Sequence, residues 1–152
     1  MDKADKSEAA RALFKAGANC AQAVLGAYAA ECGLTHEQAM RLGSSFGGGM
    51  GRLREVCGAV SGMFMVVGLK QGYSDLQIKP DKDRHYALIQ KLAEEFKSRT
   101  QSHSIVCREL LGLSKGPDSP VSEARTADYY KKRPCEEYVA LAARILDEYL
   151  HP

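Results

Sequence analysis

Four of the five cysteines in this chain fall where a helix is expected to begin: Cys20, Cys57, Cys107 and Cys135. Asn19 precedes the first, a glycine-rich stretch precedes the second, Ser104 lies three residues before the third, and Pro134 precedes the fourth. A helix N-terminus carries unpaired N–H groups and about half a positive charge. That field favours thiolate, the form that attacks disulfides and binds metals. Cys32 lies at a helix end before Gly33, where the dipole opposes a thiolate. The sequence therefore points to metal or redox chemistry by four cysteines, with Cys32 as a bystander.

None of the cysteines forms a C-x-x-C pair, so a site made from them is assembled by tertiary folding. On spacing alone, buried cysteines acting as small apolar residues explain them equally well. Cys57, which follows the glycine loop and has Arg52 and Arg54 nearby, is expected to be the attacking thiol, with Cys20 as its companion. The loop Gly47-Gly48-Gly49-Met50-Gly51-Arg52 could hold an anion on successive N–H groups. It lacks the Lys-Ser/Thr of a P-loop, so a tight turn packed against the core or a cofactor is the preferred reading. The histidines and the scattered carboxylates form no hydrolase pattern. His103 is best read as a solvated loop residue.

The elements that position these residues are helical throughout. Periodicity and end signals place helices over 4–16, 19–32, 35–42, 55–70, 82–100, 106–111 and 134–150. The expected fold is an all-α, single-domain bundle of about six to seven helices spanning 1–152. The glycine-rich loop leads into its central helix. Residues 114–126 read as a flexible loop. Tyr86, Ile89, Leu92, Ala93 and Phe96 mark the expected buried face of the fifth helix. Gly58 and Gly62 share one face of the central helix, and each interior glycine costs about 1 kcal/mol relative to alanine. Something is expected to approach that face closely, either another backbone or a cofactor bound at Gly47, Gly48, Gly49 and Gly58.

Composition narrows the classes. The chain of 152 residues is 45% hydrophobic and 26% charged, with a net charge of +2. Its longest basic run, Lys131-Lys132-Arg133, is too short for a nucleic-acid stripe and reads as a solvated segment. The N-terminal residues show no apolar signal core, and no apolar run reaches the ~20 residues of a membrane span. The expectation is a cytoplasmic protein with neither a nucleic-acid nor a membrane partner. In that reducing compartment, cysteines are expected to be redox-active or metal-binding rather than bridged.

The run NCAQAV at Cys20, then FGGGMGR, then Cys57-Gly58-Ala59-Val60-Ser61-Gly62, then isolated Cys107 and Cys135, resembles the redox-active protein family named for the pattern C_GCAxxG_C_C. The CGAxxG motif is matched in full, the best match covers about residues 17–72, and Cys32 has no place in the pattern. The domain is also similar to the part of split-Soret cytochromes that holds an iron–sulfur cluster. The haem-attachment pattern C-x-x-C-H is absent. The resemblance implies redox activity with an electron donor or acceptor that it does not specify. Two mechanisms fit. The quartet either ligates an iron–sulfur cluster or zinc, which is the preferred version, or cycles between dithiol and disulfide with no cofactor. The reading from another class is a non-catalytic helical binding or homodimerisation module. It would use the Gly58/Gly62 face with Met63 and Met65, and its cysteines would be structural.

Overall fold

Local side-chain caps start four of the helices among the described residues. In a computed structural model, which describes residues 5–114 and 116–152, Asp5 opens α1 (Lys6–Lys15) by accepting from the Ser7 backbone N–H at 3.0 Å. The expected start of that helix at Ala4, and Lys115 in the expected loop, lie outside the described residues. Asn19 opens α2 (Cys20–Ala27) through a reciprocal capping box with Gln22 at 2.8 and 2.9 Å. Thr35 and Gln38 do the same for α3 (His36–Gly43). Then follow α4 (Gly58–Gln71), α5 (Lys79–Ser98), α6 (Cys107–Leu111), α7 (Ala127–Lys132) and α8 (Cys135–Leu150). The fold is all-α, one helix richer than the sequence suggested.

The core forms around α2, which packs against α1, α3, α4 and α8. Ala21, Ala23, Val24, Leu25 and Tyr28 are fully buried there, and the Tyr28 hydroxyl donates to the Ala143 carbonyl of α8 at 2.8 Å. Small residues let α2 and α4 approach closely. A Cβ at Gly62 would lie 2.9 Å from the Ala21 carbonyl oxygen, and one at Gly58 would lie 3.1 Å from the Ala21 nitrogen. The close approach expected at these two glycines is therefore made by α2 of the same chain and, at Gly58, also by the Phe46 carbonyl oxygen, 2.8 Å from where its Cβ would stand. Met63 is also fully buried. Gly58, Gly62 and Met63 of the expected docking face are thus occupied internally, while Met65 is half-buried.

Gly68, on the same helix, has nothing within 4 Å of where its Cβ would stand. Gly68→Ala is expected to stabilise the fold by about 1 kcal/mol through helix propensity. Thermal unfolding read by circular dichroism checks this, and an unchanged or lower midpoint refutes it.

The other differences have local causes. α2 ends at Ala27 rather than at Cys32 because the N–H groups of Tyr28 and Ala29 turn to carbonyls three residues back, Leu25 and Gly26. The chain then reaches Gly33, in the left-handed region at φ 74°, through turns. α4 starts at Gly58 and not at 55 because Val56 pairs antiparallel with Val106. On α5 only Leu92 and Phe96 of the expected face are buried, whereas Tyr86 is exposed. The helix packs mainly against α4 and α8, and Tyr73 stacks edge-on against His85 and Tyr86 of its first half. No helix among the described residues is long and apolar enough to cross a membrane.

Candidate functional site

The four helix-start cysteines meet at one cavity. Cys20, Cys107 and Cys135 are the first residues of α2, α6 and α8, and Cys57 is the N-cap of α4. All four line a cavity of about 290 Å³. The Val56–Val106 pairing sets two of them side by side. The Cys57 N–H donates to the Ile105 carbonyl at 2.7 Å, and the Cys107 N–H donates to the Glu55 carbonyl at 2.6 Å. Gly58 brings a third, since a Cβ there would stand 3.1 Å from the Cβ of Cys20.

The glycine loop forms the adjoining wall. Gly48, Gly49, Met50, Gly51 and Arg52 all have φ between 58° and 70°, giving one left-handed turn. Such backbone costs about 1–2 kcal/mol per non-glycine residue, which explains the glycine content. A Cβ at Gly49 would lie 2.6 Å from the Cβ of Cys107. The turn is thus packed directly on a cysteine, and Gly47, Gly48, Gly49 and Gly58 all line the cavity.

One further wall was not expected. Residues 116–126, read from sequence as a flexible loop, are strapped across the cavity. The Asp118 N–H donates to the Arg52 carbonyl at 3.0 Å, and Arg52 Nε donates to the Ser119 carbonyl at 2.7 Å. Arg54 Nε donates to Asp118 Oδ2 at 2.7 Å. Beyond the strap, α7 begins at Thr126, whose hydroxyl accepts from the Tyr129 N–H. Arg133, assigned from sequence to a solvated run, pairs with Glu123 and lines the cavity. The legible signal was the cap: Thr126 three residues before Tyr129 is an N-cap pattern. Arg125 is held by the Phe14 and Ala18 carbonyls at 3.0 Å and by the rings of Phe14, Tyr129 and Tyr130. Its guanidinium thus ends α1 and lines the cavity at once.

Electrostatics separate the four thiols, contrary to the common thiolate character expected of them. Burial pushes Cys57 up to about 12, overriding the Ala59 and Val60 N–H groups that favour its anion. A helix terminus contributes at most about 2 kcal/mol, whereas full burial shifts a pKa by up to about 3–5 units, so burial wins. Cys107 is also raised by burial, against the pull of Arg54, whose Nη1 lies 3.5 Å from its sulfur. Cys20 is raised, first by its side-chain hydrogen bond to Cys135. Cys135 alone is lowered, by that same bond and by Arg133, Arg54 and Arg125. The interaction between the two thiols and the three arginines thus favours charge on Cys135 over Cys20. At Cys57, expected to be the activated thiol, burial outweighs the helix terminus, whereas the shift at Cys135 favours its thiolate.

Cys32 is half-buried, raised by burial, and does not line the cavity, and no histidine lines it either. Four thiols on one cavity are a suitable donor set for a sulfur-ligated centre, and four arginines would offset its negative charge. A single tetrahedral ion demands sulfurs about 2.3 Å from one point. Among the described residues, no group of three His, Cys, Asp or Glu side chains is placed to hold a metal ion. The present geometry fits lone zinc poorly, whereas a polynuclear cluster spreads its ligands over separate metal atoms.

An all-α domain that gathers cysteines from four helix starts onto an arginine-lined cavity has the build of a small redox-active protein. The family model described as "Putative redox-active protein (C_GCAxxG_C_C)" matches residues 18–149, and the chain belongs to that family. No curated protein and no solved structure matches the chain.

Proposed function

We propose that this redox-active protein works as a dithiol–disulfide carrier, with Cys135 as attacking thiolate and Cys20 as its resolving partner. The observation that carries this reading is that Cys20 and Cys135 line one cavity and shift each other's acidity in opposite directions, with three arginines favouring the charge on Cys135. A low-pKa thiolate beside a protonated thiol is the pairing that disulfide exchange uses, because the first attacks and the second closes the disulfide. Cys57 and Cys107, both raised by burial, stay protonated and serve as walls.

A second reading is supported by the four cysteines on one cavity. Cys20, Cys57, Cys107 and Cys135 would hold an iron–sulfur cluster, which supplies one-electron transfer. Arg54 would then face the Cys107 sulfur as a fixed counter-charge. One anaerobic purification decides between the two. Colourless, iron-free protein that forms a Cys20–Cys135 disulfide on mild oxidation, mapped by peptide mass, supports the carrier. Stoichiometric iron and acid-labile sulfide, or a disulfide between other cysteines, overturns it.

A further inference from the structure

The cavity in front of Cys135 is small, walled by arginines and open on one side. Its volume of about 290 Å³ lies at the low end of ligand pockets. It has room for a small molecule. Exposed Ser44, Gly51, Pro120 and Ser122 rim the opening. Among the lining side chains, Arg52, Arg54, Arg125 and Arg133 face a single carboxylate, Glu123. Arg54 is spoken for by Asp118 and the Cys107 sulfur, and Arg125 by two carbonyls. Arg133 has Glu123 as its partner, while Arg52 keeps only long contacts of 3.9 and 4.0 Å to Glu123 and Asp118 besides its bond to Ser119. The balance at the cavity is cationic even after these pairings. A low-dielectric cleft of one sign concentrates small ions of the other.

We propose that the substrate of this site is a small anionic disulfide bearing carboxylates, drawn in and oriented by Arg52 and Arg133 against the Cys20–Cys135 pair. The inference rests on the dithiol reading above. The reaction balances as two exchanges. The Cys135 thiolate attacks one sulfur of the substrate disulfide, forming a mixed disulfide and expelling one substrate thiolate. Cys20 gives its proton to that leaving thiolate, and its sulfur attacks Cys135. The second substrate thiolate leaves, and the protein holds a Cys20–Cys135 disulfide. The protein loses two electrons and the substrate disulfide gains them.

The test measures oxidation of the reduced full-length protein by three disulfides of similar size: dithiodiglycolate, a dianion; bis(2-hydroxyethyl) disulfide, neutral; and cystamine, a dication. The expected order is dianion over neutral over dication, with about tenfold or more between the extremes at low salt. The spread should shrink in about 0.5 M salt, where screening is strong. Arg133→Gln should reduce the preference for the dianion, Arg133→Lys should restore most of it, and Glu123→Gln should increase it. Cys32→Ser should leave all three rates unchanged. Equal rates for the three compounds, with the Cys20–Cys135 disulfide still formed, overturn the anion inference and leave the dithiol reading standing. Failure of all three to form that disulfide overturns the dithiol reading itself.

Discussion

Cys135→Ser is expected to reduce exchange with a neutral disulfide to the uncatalysed background, whereas Cys20→Ser stops it halfway. With bis(2-hydroxyethyl) disulfide, the reduced wild type releases two equivalents of mercaptoethanol per chain. Cys20→Ser releases one and retains a mercaptoethanol adduct on Cys135, found by peptide mass. The asymmetry follows from the opposite shifts of the two thiols: Cys135 is held below the usual thiol value by Cys20 and the arginines, while Cys20 is raised. Because the thiolate is the nucleophile, the rate rises with pH to an inflection below about 9 and levels off above it. An attack by Cys57 instead would keep rising toward about 12, where burial has pushed that thiol. Two equivalents released by Cys20→Ser would mean that Cys57 or Cys107 closes the disulfide, and the assigned pair would be wrong.

What was legible in the sequence was local chemistry. Asn19 and Thr35 announce α2 and α3 because a capping box is written within four residues, and Pro134 marks the start of α8 by its fixed backbone angle. Those signals suffice to put Cys20 and Cys135 at helix starts. They do not say how deeply each cysteine is buried, and burial reverses the sign expected from the helix dipole at Cys57 and Cys107. The Val56–Val106 pairing is a single bridge, too short to leave a strand-like alternation, yet it is what sets Cys57 beside Cys107. The strap was illegible for a different reason. Asp118 is ordered by Arg54 and Arg52, more than sixty positions away, and a segment rich in Gly, Pro and Ser shows no periodicity that would reveal such a tether. Arg133 sits in a basic run whose two lysines are exposed, so composition alone assigned it to solvent.

Gly49→Ala is expected to destabilise the fold by about 3 kcal/mol or more, lowering the unfolding midpoint by about 10 °C for a domain of this size. Two independent effects act at this residue. Its φ of 67° is left-handed, which costs an alanine about 1–2 kcal/mol. The new Cβ would also meet the Cβ of Cys107 at 2.6 Å, the Glu55 nitrogen at 2.8 Å and the Arg54 Cα at 2.9 Å. Two of these are backbone atoms and cannot rotate away, so the overpacking cost of about 1–3 kcal/mol adds to the strain. Gly112→Ala separates the two effects. Gly112 has a similar φ of 65°, but nothing stands within 4 Å of its would-be Cβ. It should lose only the backbone part, about 1–2 kcal/mol. Equal losses for the two variants would show that the left-handed turn does not press on Cys107. A larger loss at Gly49 ties the glycine loop to the cysteine it supports. It would also mean that the turn fixes Arg54 and Cys107 in register, since the displaced atoms belong to those residues and to Glu55, which lies between Arg54 and the Val56–Val106 bridge.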